Sequence, residues 1–369
     1  MEKKNAPRLL PLLFTALIAV MGALLPALPR QTFSPLEKRV LAKPPAFSLE
    51  GGQFSRGMEA FLGDHFPLRT SWVGLDARRR LITGIMAADS VWRLPGGALA
   101  ESPLPLSAAE RLPRNVSLLA GFASAASRPF TLIAPPAAGA VSLRGGYYPY
   151  PDEALIKSME ESLRAAGIKM VPLFDAFRAS EIPLYYRTDP HWNGEGAYAA
   201  YQLAADALGY QALPSSAFSI TESPGFRGSA YARSGLWATA PDSLQLWDSG
   251  CRVSLRFDNK PESHDSLFFR DHLKEADQYP VFLDGNHGLT DIENQDQPSG
   301  RKLLILKDSF GNSLVPLLTP HFSRVTVIDL RAYRGSVLNL IREQGYDHIL
   351  AVYSLKSLAT DSNFAWLGL

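Results

Sequence analysis

Five short apolar runs recur along the chain, and the segments between them restrict the fold more than any other feature. Residues 301–307 carry Lys-Leu-Leu-Ile-Leu, continuous enough for a strand buried on both faces. Residues 130–134, 168–174, 324–330 and 348–353 read the same way. Amphipathic stretches lie between them. Residues 152–166 place Ala154, Leu155, Met159 and Leu163 on one side, and Gly167 stops that helix. Residues 194–208 bury Ala197, Ala200, Tyr201, Ala204 and Leu208 behind an N-cap at Asn193. Residues 108–126, 312–318 and 336–344 complete the set, with Pro316 expected in the first turn of its helix. Strand-helix-strand alternation predicts an α/β fold, a parallel sheet with flanking crossover helices.

The alternation occupies residues 89–369, beginning with a strand over 90–94, and it is interrupted once. Residues 214–296 hold strand-like runs at 243–247 and 252–257 among Gly, Pro, Asn and Asp, which predicts an inserted β-rich lobe. Residues 31–88 form a membrane-proximal arm. Its first part is rich in proline, phenylalanine and charge, with a short helix over 56–62, and a helix over 70–83 follows. His65 lies in this arm and is expected to pack. Ahead of it, Lys3, Lys4 and Arg8 precede an uncharged run, residues 9–28. Twenty residues are about enough to cross a bilayer core of roughly 30 Å. Pro11 and Pro26 sit near the ends of the run, and the basic flank places the N-terminus in the cytoplasm. The competing reading is a cleaved signal peptide, for which Ala-Leu-Pro at 27–29 makes a poor cleavage site. Residues 1–30 are therefore expected to be a signal anchor at the cell membrane, with everything after them extracytoplasmic.

Composition excludes several classes. An apolar fraction of 46% with 20% charged residues is that of a globular chain. A net charge of +1 without a Lys/Arg stripe argues against nucleic acid. Cys251 is alone, so no internal disulfide forms and no multi-thiolate metal site exists; a small buried apolar role suits it best. His264, His272 and His287 match no compact ligand spacing, and neither a metal nor another cofactor is expected.

Two stretches carry chemistry: Tyr186-Arg187-Thr188-Asp189-Pro190-His191-Trp192-Asn193 and Lys307-Asp308-Ser309-Phe310-Gly311-Asn312. Together they supply a serine, a histidine and an aspartate. Asp189 and His191 are two apart, so in an extended loop both side chains point the same way. Ser309 follows the apolar run and precedes a helix, at the sheet edge where sites form. Free N–H groups at that helix start suit an oxyanion. Each stretch alone has a plainer reading: Ser309 as a helix cap, and His191 as a solvated turn residue.

The chain from Phe33 onward resembles the DHHW family of bacterial exported proteins. It is similar, more distantly, to the alginate O-acetyltransferases, whose SGNH-hydrolase-like domain has a circularly permuted motif order. The matching residues begin with Phe33-Ser34 through Arg39 with Leu41, and Asp64-His65-Phe66-Pro67-Leu68-Arg69. They continue with Tyr185-Tyr186-Arg187-Thr188-Asp189-Pro190-His191-Trp192, Gly196-Ala197-Tyr198 and Gly228-Ser229-Ala230-Tyr231. Lys307-Asp308-Ser309-Phe310 and Asp329-Leu330-Arg331 complete the match. The chain departs from the family's name motif at Pro190, where that motif has His. The resemblance implies Ser309 as nucleophile, His191 as general base and acid, and Asp189 as its orienting partner. It places further oxyanion donors at the strand ends holding Arg331 and Tyr353. Trp192 and Arg187 are the candidate substrate contacts; Trp237 and Trp247 are further cleft candidates, with core packing as the alternative for the tryptophans.

The expected activity is O-acyl transfer, with acetyl as the expected group, to an exported polysaccharide through an acyl-serine. The resemblance implies a multipass membrane-bound O-acyltransferase as donor partner. An esterase with the same triad, and a non-catalytic envelope scaffold or polysaccharide-binding protein, are the alternatives.

Overall fold

A computed structural model of the protein describes residues 9–27, 30–48, 51–83, 87–88, 90–142 and 150–368. Lys3, Lys4, Arg8, Leu28, Pro29 and Asp89 lie outside the described residues. The chain divides into two units, Met1–Ala88 with Ala232–Ala238, and Asp89–Tyr231 with Thr239–Leu369.

The larger unit is built on a seven-stranded sheet. In chain order its strands are β1 (Phe130–Ile133), β2 (Ile168–Met170), β3 (Val253–Phe257), β4 (Leu289–Asn294), β5 (Lys302–Lys307), β6 (Arg324–Ile328) and β7 (His348–Val352). Their order across the sheet is β3-β4-β6-β5-β7-β1-β2. The pairings from β6 through β5, β7 and β1 to β2 are all parallel. Those of β3 with β4 and β4 with β6 are antiparallel. The fold is thus mixed α/β, a mostly parallel sheet with helices on both faces.

β5 is central because its side chains feed two cores. Leu303 and Ile305 enter one, with Trp192 and Phe310, while Leu304 and Leu306 enter the other, with Leu119 and Tyr353. Each face needs an apolar helical stripe to cover it. Helices α1 (Leu112–Ala126) and α2 (Asp152–Ala165) cover the second core through Val116, Leu119, Phe122, Met159 and Leu163. A short α3 (Leu173–Ala179) and the long α4 (Gly194–Leu208) cover the first, α4 through Ala197, Ala200, Tyr201, Ala204 and Leu208. After β5 come α5 (Gly311–Leu318), α6 (Val337–Gln344) and α7 (Leu355–Thr360).

Three expectations are corrected. The run at 168–174 is a strand only to Met170; Pro172 separates it from α3. Pro316 lies inside α5, not in its first turn, because the helix already starts at Gly311. Within 214–296, only Ser219–Phe226 and Asp242–Asp248 form a ribbon of their own, whereas β3 and β4 extend the main sheet. An antiparallel edge pair needs no crossover helix, so the βα rhythm carries no sign of it.

The smaller unit contains an apolar helix, Leu9–Ala27, of 19 residues. It rises about 28 Å, slightly less than the roughly 30 Å of a hydrocarbon core. Among the described residues no helix is long and apolar enough to cross a membrane. The arm after it is folded. Helix Gln53–Asp64 is longer than the 56–62 read from sequence, and helix Arg69–Ile82 lies one residue ahead of the 70–83 read. Arg39 holds Asp64 through two hydrogen bonds of 2.9 and 2.5 Å and reaches Glu37 at 2.8 Å. Arg69 bonds Glu37 from the far side. The hydrogen bond from Arg39 outweighs burial and lowers the Asp64 carboxyl to about 2. His65 packs on Phe61 with its Nε2 3.0 Å from the Ala42 carbonyl oxygen. Trp237 donates to the Thr70 carbonyl at 3.2 Å within this same unit.

Candidate active site

The histidine loop is a narrow excursion between buried anchors. Tyr185 and Trp192 face each other in an antiparallel bridge. The Asn193 N–H donates to the Leu184 carbonyl at 3.0 Å, and its side chain caps α4 at the Gly196 N–H, 2.9 Å away. Trp192 is fully buried between Phe177 and Phe310, with its indole N–H on Ser313 at 2.8 Å. At the loop tip the Asp189 Oδ1 accepts the His191 backbone N–H at 3.0 Å and faces its Nδ1 at 2.5 Å. The pair therefore lies in a tight turn rather than the extended loop expected, and the turn itself aims the ring. The Ser229 N–H donates to the other carboxylate oxygen at 2.7 Å. Gly228 lets that backbone approach, since a Cβ there would lie 2.2 Å from the Asp189 Cβ. Asp242 fixes the loop from outside, accepting the N–H groups of Arg187 and Thr188, both at 2.8 Å.

The serine turn follows β5. The Asp308 N–H extends the β5–β7 ladder by bonding the Val352 carbonyl at 2.9 Å. The Asp308 carboxylate then accepts the N–H of Phe310 at 3.0 Å and of Ser354 at 2.8 Å, binding the turn to the end of β7. Gly311 allows α5 to start against the strand, because a Cβ there would lie 2.7 Å from that of Lys307. This turn delivers the Ser309 Oγ to 2.7 Å from the His191 Nε2. Asp189, His191 and Ser309 thus form one chain of hydrogen bonds. The serine side chain is not a helix cap, and the imidazole is not solvated: its side chain is 12% exposed.

Aromatic rings enclose the imidazole. Tyr279 stacks on it at 4.4 Å and 16°, and Phe310 leans on it at 4.7 Å. A phenol face stabilises imidazolium when it forms. The Tyr279 hydroxyl donates to the Ser309 carbonyl at 3.3 Å, so one residue touches both partners. Burial opposes charge on Asp189, but the His191 charge, its hydrogen bond and two backbone N–H groups win, and the carboxyl falls to about 2. Burial alone pushes His191 down; Asp189, with smaller help from Asp308 and Glu101, overrides it, and the imidazole ends above its ordinary 6.5. A buried anion thus holds the ring with Nδ1 protonated and leaves Nε2 free to take the Ser309 proton. An activated hydroxyl so placed can attack an acyl carbonyl.

The other residues singled out in the sequence are placed as follows. Trp192 is a core residue, not a substrate contact, because no face of it reaches solvent. Trp247 is buried and stacks on Tyr198 at 4.6 Å. The Arg187 side chain is exposed, and among the described hydrogen bonds its backbone alone is engaged. Arg331 is bound to Asp329 at 2.8 and 2.5 Å. Tyr353 packs on Phe364 in the second core, its hydroxyl buried without a hydrogen bond among the described residues. Neither Arg331 nor Tyr353 bonds Ser309 among the described hydrogen bonds; the Ser309 N–H is engaged in none of them either. His272 and His287 share Asp284, and among the described residues no His, Cys, Asp and Glu group is arranged for a metal ion. Sequence reading missed Tyr279 and Asp242. It did single out Gly228-Ser229, but without a role.

Asp189→Asn removes the charge that lifts His191. Activity at Ser309 should fall by about 10³- to 10⁴-fold. In the native protein activity should rise with pH through a value above 6.5, and the variant's residual activity should rise at lower pH. A rate against pH series on both proteins checks this. Gly228→Ala inserts a methyl group into the Asp189 carboxylate, so it should cost at least about tenfold in rate while circular dichroism stays native.

Comparison with known proteins gives a consistent answer. The family model described as "DHHW protein" matches residues 163–328, a span holding all three residues of the hydrogen-bonded chain. No curated protein sequence matches. Among solved structures, a DHHW family protein from Eubacterium siraeum is similar at 22% identity and a TM-score of 0.64, covering 75% of this chain and 94% of that one. PatB1 of Bacillus cereus, solved with a sulfonyl adduct, is similar at 20% identity and a TM-score of 0.59, covering 75% and 97%. A second structure of that protein has 22% identity and a TM-score of 0.57, covering 72% and 96%. In its matched segment and in its fold, the chain is similar to the DHHW proteins.

Proposed function

We propose that the protein is an O-acyltransferase that moves an acetyl group onto a carbohydrate hydroxyl through an acyl-serine. The observation carrying this reading is the continuous chain from Asp189 through His191 to the Ser309 Oγ, at 2.5 and 2.7 Å. In the first half-reaction the Ser309 Oγ attacks the acetyl carbonyl carbon while the His191 Nε2 takes its proton. The tetrahedral intermediate collapses, the donor oxygen leaves, and His191 returns the proton to it. In the second half the sugar hydroxyl gives its proton to His191 and attacks the acetyl-serine, and Ser309 regains its proton as it departs. The Ser309 N–H is the donor best placed for the oxyanion.

Pro190 and Phe310, the chain neighbours of His191 and Ser309, help line a small pocket beside the triad with Pro135, Pro136, Leu355 and the charged Glu101, Asp152 and Lys356. The scaffold alternative requires Ser309 and His191 to stand apart, and the 2.7 Å contact counts against it. The esterase alternative uses the same atoms with water as acceptor. An acetyl ester and a panel of oligosaccharides, followed by product mass, separate the two. Transfer predicts acetylated sugar that disappears in Ser309→Ala. Free acetate alone would replace transferase by esterase, and native protein as inert as the variant would overturn both.

We also propose that the helix Leu9–Ala27 holds the protein at the membrane. Leu10, Leu13, Phe14 and Ile18 are each more than half exposed, which apolar side chains so close together tolerate only in an apolar environment. Full-length protein should stay with membranes through carbonate extraction, and a chain starting at residue 31 should not; equal partitioning of both would contradict the proposal.

A further inference from the structure

Behind the nucleophile turn lies a polar cluster that the triad chemistry leaves unused. Lys307, the last residue of β5, has a side chain only 2% exposed. Lysine is almost never buried so fully without a partner. Its ammonium donates to the Asn286 Oδ1 at 2.7 Å and lies 3.4 Å from the Asp329 Oδ2. Asp329, at the end of β6, is equally buried and also takes two bonds from the Arg331 guanidinium. The Asn286 Oδ1 accepts a second bond, from the Asn312 side chain in the first turn of α5, at 3.2 Å. The lysine stem itself runs beneath Gly311.

Lys307 therefore joins four elements near Ser309: β5, the start of α5, the end of β6 and the loop carrying Asn286. That loop needs restraint. Leu283 and Asp284 both sit in the left-handed region, at φ 58° and 55°, ahead of Gly285 at 88°. Non-glycine residues keep such conformations only where surrounding contacts hold them. The charges facing the ammonium are Asp329 from β6, Asp308 from its own turn, and Arg331 beyond Asp329. Burial dominates and pulls the ammonium down to about 8, against the raising effect of Asp329 and Asp308.

We propose that Lys307 is a charged positioning residue for the Ser309 turn, and that losing its proton slackens the turn and slows acyl transfer at alkaline pH. The inference rests on the acyl-transfer reading above. A neutral amine no longer draws the end of β6 and the Asn286 loop to the turn through its charge.

The test is the rate at which an aryl sulfonyl fluoride modifies Ser309 in the full-length protein, mapped by peptide mass across pH. The expected native profile rises as His191 loses its proton, then falls above about 8 to a plateau about tenfold lower. Asn286→Asp sets a carboxylate beside the ammonium and should move the falling limb up by about one pH unit or more, leaving the rising limb in place. Lys307→Met should react about tenfold more slowly at neutral pH and show no falling limb. A native profile with no falling limb, or a limb that Asn286→Asp does not move, overturns the role of Lys307. No modification of Ser309 at any pH contradicts the acyl-transfer reading instead.

Discussion

The contact that the rest of the structure serves is the hydrogen bond between the His191 Nε2 and the Ser309 Oγ. It joins residues 118 apart in the chain, so no local preference can make it. Each end is rigid for a separate reason. Ser309 stands where β5 leaves the sheet, and the Asp308 carboxylate ties that turn to the end of β7. His191 stands just before α4, whose apolar face is packed into the same core as Leu303 and Ile305 of β5. The position of one element against the other is thus set by buried side chains, with Trp192 and Ser313 joining α4's entry to α5. Close packing converts the fold into a distance accurate enough for proton transfer.

The electrostatics follow from the same burial. Asp189 is 3% exposed and would be costly as a free anion, so it is met by the His191 ring and the N–H groups of His191 and Ser229. The low dielectric that penalises the carboxylate also strengthens its hold on the imidazole. Tyr279 adds a flat wall that fixes the ring plane and excludes water from one side. A histidine with a raised pKa, a carboxylate kept ionised and a hydroxyl within reach belong to one arrangement rather than to three coincidences.

Much of this is visible in the chain itself, and the reasons the rest is not are specific. The apolar run of β5 and the spacing along α4 announce a central strand and a covering helix, because burial on one or both faces leaves a period. Asp189, His191 and Ser309 stand out because the pattern places them at a helix entry and a strand exit, and because the residues around them resemble a known family's motifs. Tyr279 leaves no mark: it lies in a short turn at Tyr279–Val281, in a stretch without period. Asp242 acts on a loop more than fifty residues away, and a lone aspartate at the start of a strand looks like any other. The ion-paired arm is hidden for the same reason, since Glu37, Arg39, Asp64 and Arg69 follow no repeat. Trp192 misleads in the opposite direction. A tryptophan beside a reactive histidine suggests a sugar platform, yet its ring is the plug that locks the loop to the core.

The central claim is that Ser309 becomes covalently acylated with the help of His191. The most direct measurement is acid quenching of the full-length protein during turnover of a chromogenic acetyl ester, followed by peptide mass mapping. The account predicts one acetyl group on the peptide containing Ser309, and none there when His191→Ala is treated in parallel. A folded native protein whose Ser309 peptide stays unmodified, or is modified equally in the His191→Ala variant, would contradict it.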